Sequence, residues 1–260
     1  MAHSRAIEEV FTFQLEKLNY PVDDIRWSLG YCQGDGASFS GKLDIKPLAK
    51  RLCPQIDVAV WDGLPGDFEL LLQRGNSRYV HENSTYLNYD LQSLEGSDSG
   101  EWGGLAQKVA LSILLPLLQK EIYETGYALA ALGYKMIEMS PSQTQVVRAY
   151  QTLNFRVEII LEPQEDWRLD DVFGEDSLEQ IIQEIESERT AIACACVKVF
   201  QVDEGGHEYS LLYTDFINCV QYDKNGPVFG KGTVRELVSE AVVEARAVFH
   251  RRNRVTLKAA

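Results

Sequence analysis

The chain has 260 residues, 45% of them apolar and 25% charged, with 39 acidic against 25 basic side chains and a net charge of −14. These figures exclude a disordered chain and a collagen-like repeat. Phosphate backbones repel so acidic a protein, so direct nucleic-acid binding is not expected.

In chain order, Ile7, Val10, Phe11, Leu15 and Leu18 recur at three- and four-residue steps and predict a helix over residues 4–18. Pro21 stops it. The period then changes to two. Ile25, Trp27, Leu29 and Tyr31 alternate with polar residues as in a half-buried strand. Gly34-Asp35-Gly36 reads as a hairpin turn into a second strand over residues 37–45. Residues 68–73 and 79–91 read as two more strands. Residues 105–137 are helical, kinked or split by Pro116.

A second unit begins near Gln143. It has a strand over residues 155–161, an amphipathic helix over 177–189, and two strands, 190–202 and 208–220, that form a hairpin. Its last helix opens at Thr233-Val234-Arg235-Glu236, a capping-box pattern. The expected fold class is α+β, with residues 1–142 and 143–260 as two units, each an antiparallel sheet covered by helices.

The opening residues lack the apolar core of a secretory signal. Val109 to Leu118 supplies only about half of the ~20 apolar residues a membrane span needs. Five cysteines in no C-x-x-C spacing suit reduced thiols. The expectation is a cytoplasmic protein that binds no membrane.

No motif asks for a cofactor or a metal. Cys194 and Cys196 share one face of a strand, but a structural zinc needs four ligands, and the flanking Ala193, Val197 and Val199 favour a core strand. There is no nucleophile elbow, zinc-protease helix or phosphate-binding loop, and the four histidines stand beside no obvious nucleophile. The catalytic residues expected are none.

Residues 158–188 concentrate twelve acids against the single Arg168. Within this run, Asp166-Trp167-Arg168-Leu169-Asp170-Asp171-Val172-Phe173 interleaves acids with apolar residues in an expected loop. Exposed acids beside aromatic anchors suit docking on a basic partner, with charge steering the encounter and the aromatic supplying affinity. The expected partner-binding residues are Glu165, Asp166, Trp167, Asp170, Asp171, Glu175 and Asp176. The competing explanation is a solvated face that aids solubility and favours a helix dipole.

One segment carries a resemblance. Trp27-Ser28-Leu29-Gly30-Tyr31-Cys32-Gln33-Gly34-Asp35-Gly36-Ala37-Ser38-Phe39 resembles the aromatic-x-Q-G-D-G-A-S/C-F hairpin of small uncharacterised phage and plasmid proteins. The motif residues Trp27, Tyr31, Gln33, Gly34, Asp35, Gly36 and Phe39 are expected to be structural, with Trp27 and Phe39 as a cross-strand aromatic pair. The resemblance implies a mobile genetic element, whose acidic proteins often inhibit nucleic-acid-handling machinery such as CRISPR complexes. The expectation is therefore a non-enzymatic inhibitor docking on a basic surface of a host protein or ribonucleoprotein, in the host cytoplasm. Two alternatives stay open: an enzyme with a site between the units using Asp35 or His81, and a dimerising accessory protein.

Overall fold

A computed structural model describes residues 4–65, 68–75, 85–89, 104–164, 167–203, 207–225 and 233–259. Their contacts gather into two compact bodies: residues 7–134, and residues 135–259 together with 4–6. The fold class is α+β, and each body contains a four-stranded antiparallel sheet.

The first body opens within α1 (Ser4–Lys17), whose Phe11 and Leu15 are buried. Next come β1 (Asp24–Ser28) and β2 (Gly36–Leu43), paired from Asp24↔Ser40 to Ser28↔Gly36. β3 (Leu70–Arg74) and β4 (Thr85–Tyr89) complete the sheet in the order β1-β2-β3-β4. β1 ends three residues sooner than its alternation predicts, because the chain is pulled off the ladder after Ser28. Tyr79 and His81 lie outside the described residues. Two helices that the alternating pattern hid, α2 (Ile45–Leu52) and α3 (Val58–Asp62), intervene between β2 and β3. Asp44 caps α2 by accepting from the Lys46 amide, and Asp57 caps α3 by accepting from Ala59.

α4 (Leu105–Glu138) is one helix of 34 residues with Pro116 inside it, so of the two expectations, a kink or a split, the split does not occur. Leu111, Leu114, Leu118 and Ile122 bury one side of the helix both before and after the proline, which offsets the missing backbone bond. Arg51 of α2 and Tyr20 both donate to Glu121 of α4, the tyrosine at 2.6 Å, and Arg51 also donates to Leu18 O at 2.9 Å. Burial, then the bond to Glu121, pushes the Tyr20 phenol well above its ordinary range.

The second body contains β5 (Gln145–Gln151), β6 (Phe155–Pro163), β7 (Thr190–Val202) and β8 (Glu208–Asp223), in that spatial order. Between β6 and β7 lie α5 (Leu169–Phe173) and α6 (Leu178–Ser187). α7 (Thr233–Ala259) lays Leu237, Ala241 and Ala245 over Val157, Ile159, Val197, Val199 and Leu212. Cys196 is buried in β7, its sulfur 3.4 Å from Thr214 Oγ1, consistent with a core strand. β5 was not legible in the sequence because nearly all of it is exposed, leaving no apolar face to show a period of two.

Candidate functional site

Two places carry the residues that the sequence singles out. The first is the connection between β1 and β2. Asp35 lies at its centre and accepts five hydrogen bonds. Its Oδ1 takes the Ser28 hydroxyl at 2.7 Å and the Cys32 thiol at 3.1 Å. Its Oδ2 takes the Gly30 amide at 2.7 Å, the Cys32 amide at 2.8 Å and the Tyr134 hydroxyl at 2.9 Å. Partial burial raises the Asp35 pKa, but the donors from Cys32, Ser28 and Tyr134 outweigh it and hold the carboxyl well below its usual range. Asp35 in turn raises the Cys32 thiol, chiefly through their hydrogen bond and then through its charge.

This arrangement explains the local fold. The carboxylate captures the amides of Gly30 and Cys32, so those groups leave the β1 ladder and the connection runs from Leu29 to Asp35 instead of closing as a two-residue turn. The Asp35 amide bonds Cys32 O at 3.2 Å, and Gly34 takes φ 88° at the third position of that turn, where type II geometry requires positive φ. Tyr31 is also left-handed, at φ 57°. Its ring is 63% exposed and leans on Tyr134, with centroids 4.6 Å apart.

The chemistry of this loop follows from its donors. A carboxylate offers about four lone-pair positions, and five donors occupy these. Asp35 therefore serves as the acceptor that holds the loop, a poor arrangement for a general base. The Cys32 thiol is kept protonated, the opposite of an activated nucleophile. What the loop presents outward is Tyr31, Cys32 and Gln33, all exposed.

Trp27 and Phe39 do not pair across the strands. Trp27 stands opposite Ala37 and meets Phe11 edge-on at 5.7 Å, while Phe39 stands opposite Ile25 and meets Tyr20 at 4.9 Å. The register is offset by two residues from the one that would set them face to face. Both residues are packing residues: Phe39 is buried and Trp27 half-buried.

The second place is the acid-rich segment before and within α6. Glu165 and Asp166 lie outside the described residues. The expected loop contains a helix: α5 begins after Arg168 and ends at Gly174, whose φ is 62°. Trp167 is only 1% exposed, so it is an anchor of the core and presents no ring to a partner. Leu169 and Phe173, four residues apart, are the buried face of α5, and Trp167 is buried just before the helix begins.

Asp170, Asp171, Glu175 and Asp176 are all exposed, as are Glu179 and Glu186 of α6. Asp170 keeps one neighbour of opposite sign, Arg168 Nε at 3.8 Å. α6 is fixed at its start by a complete capping box between Ser177 and Gln180, and its Ile181, Ile182 and Ile185 are buried. Other acids of the run are engaged elsewhere: Glu158 by Arg156 at 2.6 Å, Glu162 by Lys198 at 3.1 Å, and Glu188 by Lys135 at 2.9 Å. The outward charge is therefore concentrated from Asp170 to Glu186, on a surface with an apolar underside.

Among the described residues no three His, Cys, Asp or Glu side chains gather as a metal set, and no helix is long and apolar enough to cross a membrane. Tyr134 is the site residue that sequence reasoning missed. It lies on α4, 99 residues from its partner Asp35, with no local signal to mark it. Comparison with protein families, with curated proteins and with solved structures finds no match to this chain.

Proposed function

We propose that the chain is a non-enzymatic binding protein of a mobile genetic element, which docks its acid-rich α5–α6 surface on a basic surface of a host defence or nucleic-acid-handling complex, in the manner of an anti-CRISPR protein. It would work in the host cytoplasm without touching nucleic acid itself. The observation that carries the reading is the placement of Asp170, Asp171, Glu175 and Asp176. All four are exposed on a short segment whose Trp167, Leu169, Phe173 and Ile181 are buried. Charges held at fixed spacing lose little freedom on binding, so more of their attraction appears as affinity and association rate. The resemblance of the Trp27–Phe39 segment to phage and plasmid proteins supplies the expected setting.

The test uses the full chain and the double variant Asp170→Lys/Asp171→Lys as baits in bacterial lysate, followed by association rates on the captured complex at low and high salt. The proposal expects a basic partner, an association rate that falls steeply with salt for the parent, and a slower rate for the variant at low salt. Equal low-salt rates would remove this surface from the interface. Adding the protein to a CRISPR effector cleaving its target DNA tests the narrower claim, and unchanged cleavage at saturating protein removes that effector as the target.

A further inference from the structure

α4 carries a second surface that the acid-rich segment does not explain. Leu105, Val109, Ile113, Leu117, Tyr123 and Tyr127 are each between 40% and 65% exposed. On a helix of 3.6 residues per turn they fall within an arc of about 120°. The opposite side of the same helix, through Leu111, Leu114, Leu118 and Leu129, is buried. α4 is therefore apolar on two sides, and among the described residues only one of them is buried in a core. At its first turns the exposed stripe lines an open apolar groove of about 420 Å³ with Ile56 and Val60.

The only charges within the stripe are Lys120 and Glu124, an i,i+4 ion pair at 3.6 Å. This pair chooses among occupants. Helices that lie on lipid carry a rim of several Lys and Arg, and the stripe has one Lys in a chain of net charge −14. A basic partner would find one acid there. A second copy of the stripe crossing antiparallel about residue 122 would place each Lys120 against the other copy's Glu124. It would also place Tyr127 against Leu117, and Ile113 against the small Ala131. A parallel crossing would oppose Lys to Lys and Glu to Glu.

We infer that the exposed stripe of α4 pairs antiparallel with the same stripe of a second copy of this chain, with Lys120 and Glu124 exchanging partners across a two-fold axis. The interface is isologous, so each change in sequence acts twice.

Light scattering coupled to size exclusion on the full chain, from about 1 to about 100 µM, covers the range in which a modest homodimer assembles. The expected mass rises from 29.4 kDa towards twice that value. Tyr127→Glu should hold the protein at monomer mass, with an unchanged circular-dichroism melting temperature because the side chain is already exposed. Lys120→Glu should raise the dimer dissociation constant about tenfold or more, since it puts like charges in register twice. The double variant Lys120→Glu/Glu124→Lys should restore assembly. Monomer mass throughout would overturn the inference, and so would a dimer indifferent to all three variants. Co-sedimentation of a monomer with phosphatidylcholine vesicles would overturn it in favour of a lipid surface.

Discussion

Tyr134 donates its hydroxyl to Asp35 Oδ2 at 2.9 Å while its ring supports Tyr31, so one residue of α4 holds the β1–β2 connection both by a polar contact and by stacking. The loop is thus fixed from outside its own hairpin.

The Asp35 carboxyl titrates below the ordinary carboxylate value of about 3.9. A depressed folded-state pKa gives stability that is fully present above the unfolded value and is lost as pH falls from there towards the folded one. Asp35→Asn should cost roughly 1.5–3 kcal/mol at neutral pH, the range for hydrogen bonds to a charged group. Urea denaturation across pH should show that gap narrowing below about pH 4. Tyr134→Phe should cost about 1 kcal/mol and move the narrowing to higher pH, since one donor is lost and the stack remains. A gap that ignores pH would show that the charge of Asp35 does not hold the loop.

Gly41 and Gly174 both hold positive φ, at 150° and 62°, but only Gly41 also faces a steric block. A Cβ on Gly41 would sit 2.6 Å from Pro21 Cβ, and a pyrrolidine ring cannot move aside. A Cβ on Gly174 would meet nothing within 4 Å, but its backbone, at φ 62° and ψ −125°, suits glycine alone. Each change to Ala should cost roughly 1–3 kcal/mol. A double-mutant cycle separates the causes. Pro21→Gly should recover part of the Gly41→Ala loss and none of the Gly174→Ala loss, and equal recovery at both would refute the steric account.

Trp167→Ala should cost about 3–5 kcal/mol, as for a large buried side chain. Asp171→Ala, a few residues away and exposed, should stay within about 0.5 kcal/mol. Chemical denaturation of both variants checks the division between a packed underside and a charged outer surface. A small loss at Trp167 would return that residue to the candidate interface.

Much of the fold was legible where burial follows a period. The helix after Ser177 announces itself because Ile181, Ile182 and Ile185 share a face, and the 190–202 strand because it is an apolar run buried along most of its length. β5 was silent because it is exposed along almost its whole length. α2 was hidden because Ile45 reads as the tail of a strand, although Asp44 before a first turn that tolerates Pro47 was a usable cap signal. In the candidate site, the importance of Asp35 was visible from the motif, but its donors were not. Tyr134 reaches it only through tertiary packing. Trp167 was misplaced for a related reason: among acids an aromatic suggests exposure, yet this side chain is almost wholly buried just before α5.

In both sheets every strand pairs with its neighbour in sequence, and β7 and β8 do so over twelve matched positions from Thr190↔Asp223 to Val202↔Glu208. Asp203 and His207 close the far end, through Asp203 N to His207 O at 2.9 Å and His207 N to Asp203 Oδ1 at 2.8 Å. Pairing partners so near along the chain give up little loop entropy before their contacts form. The β7–β8 hairpin and the shorter β5–β6 hairpin can accordingly each form without waiting for distant parts of the chain, and their paired amides would be shielded from solvent deuterium early in a pulse-labelling experiment.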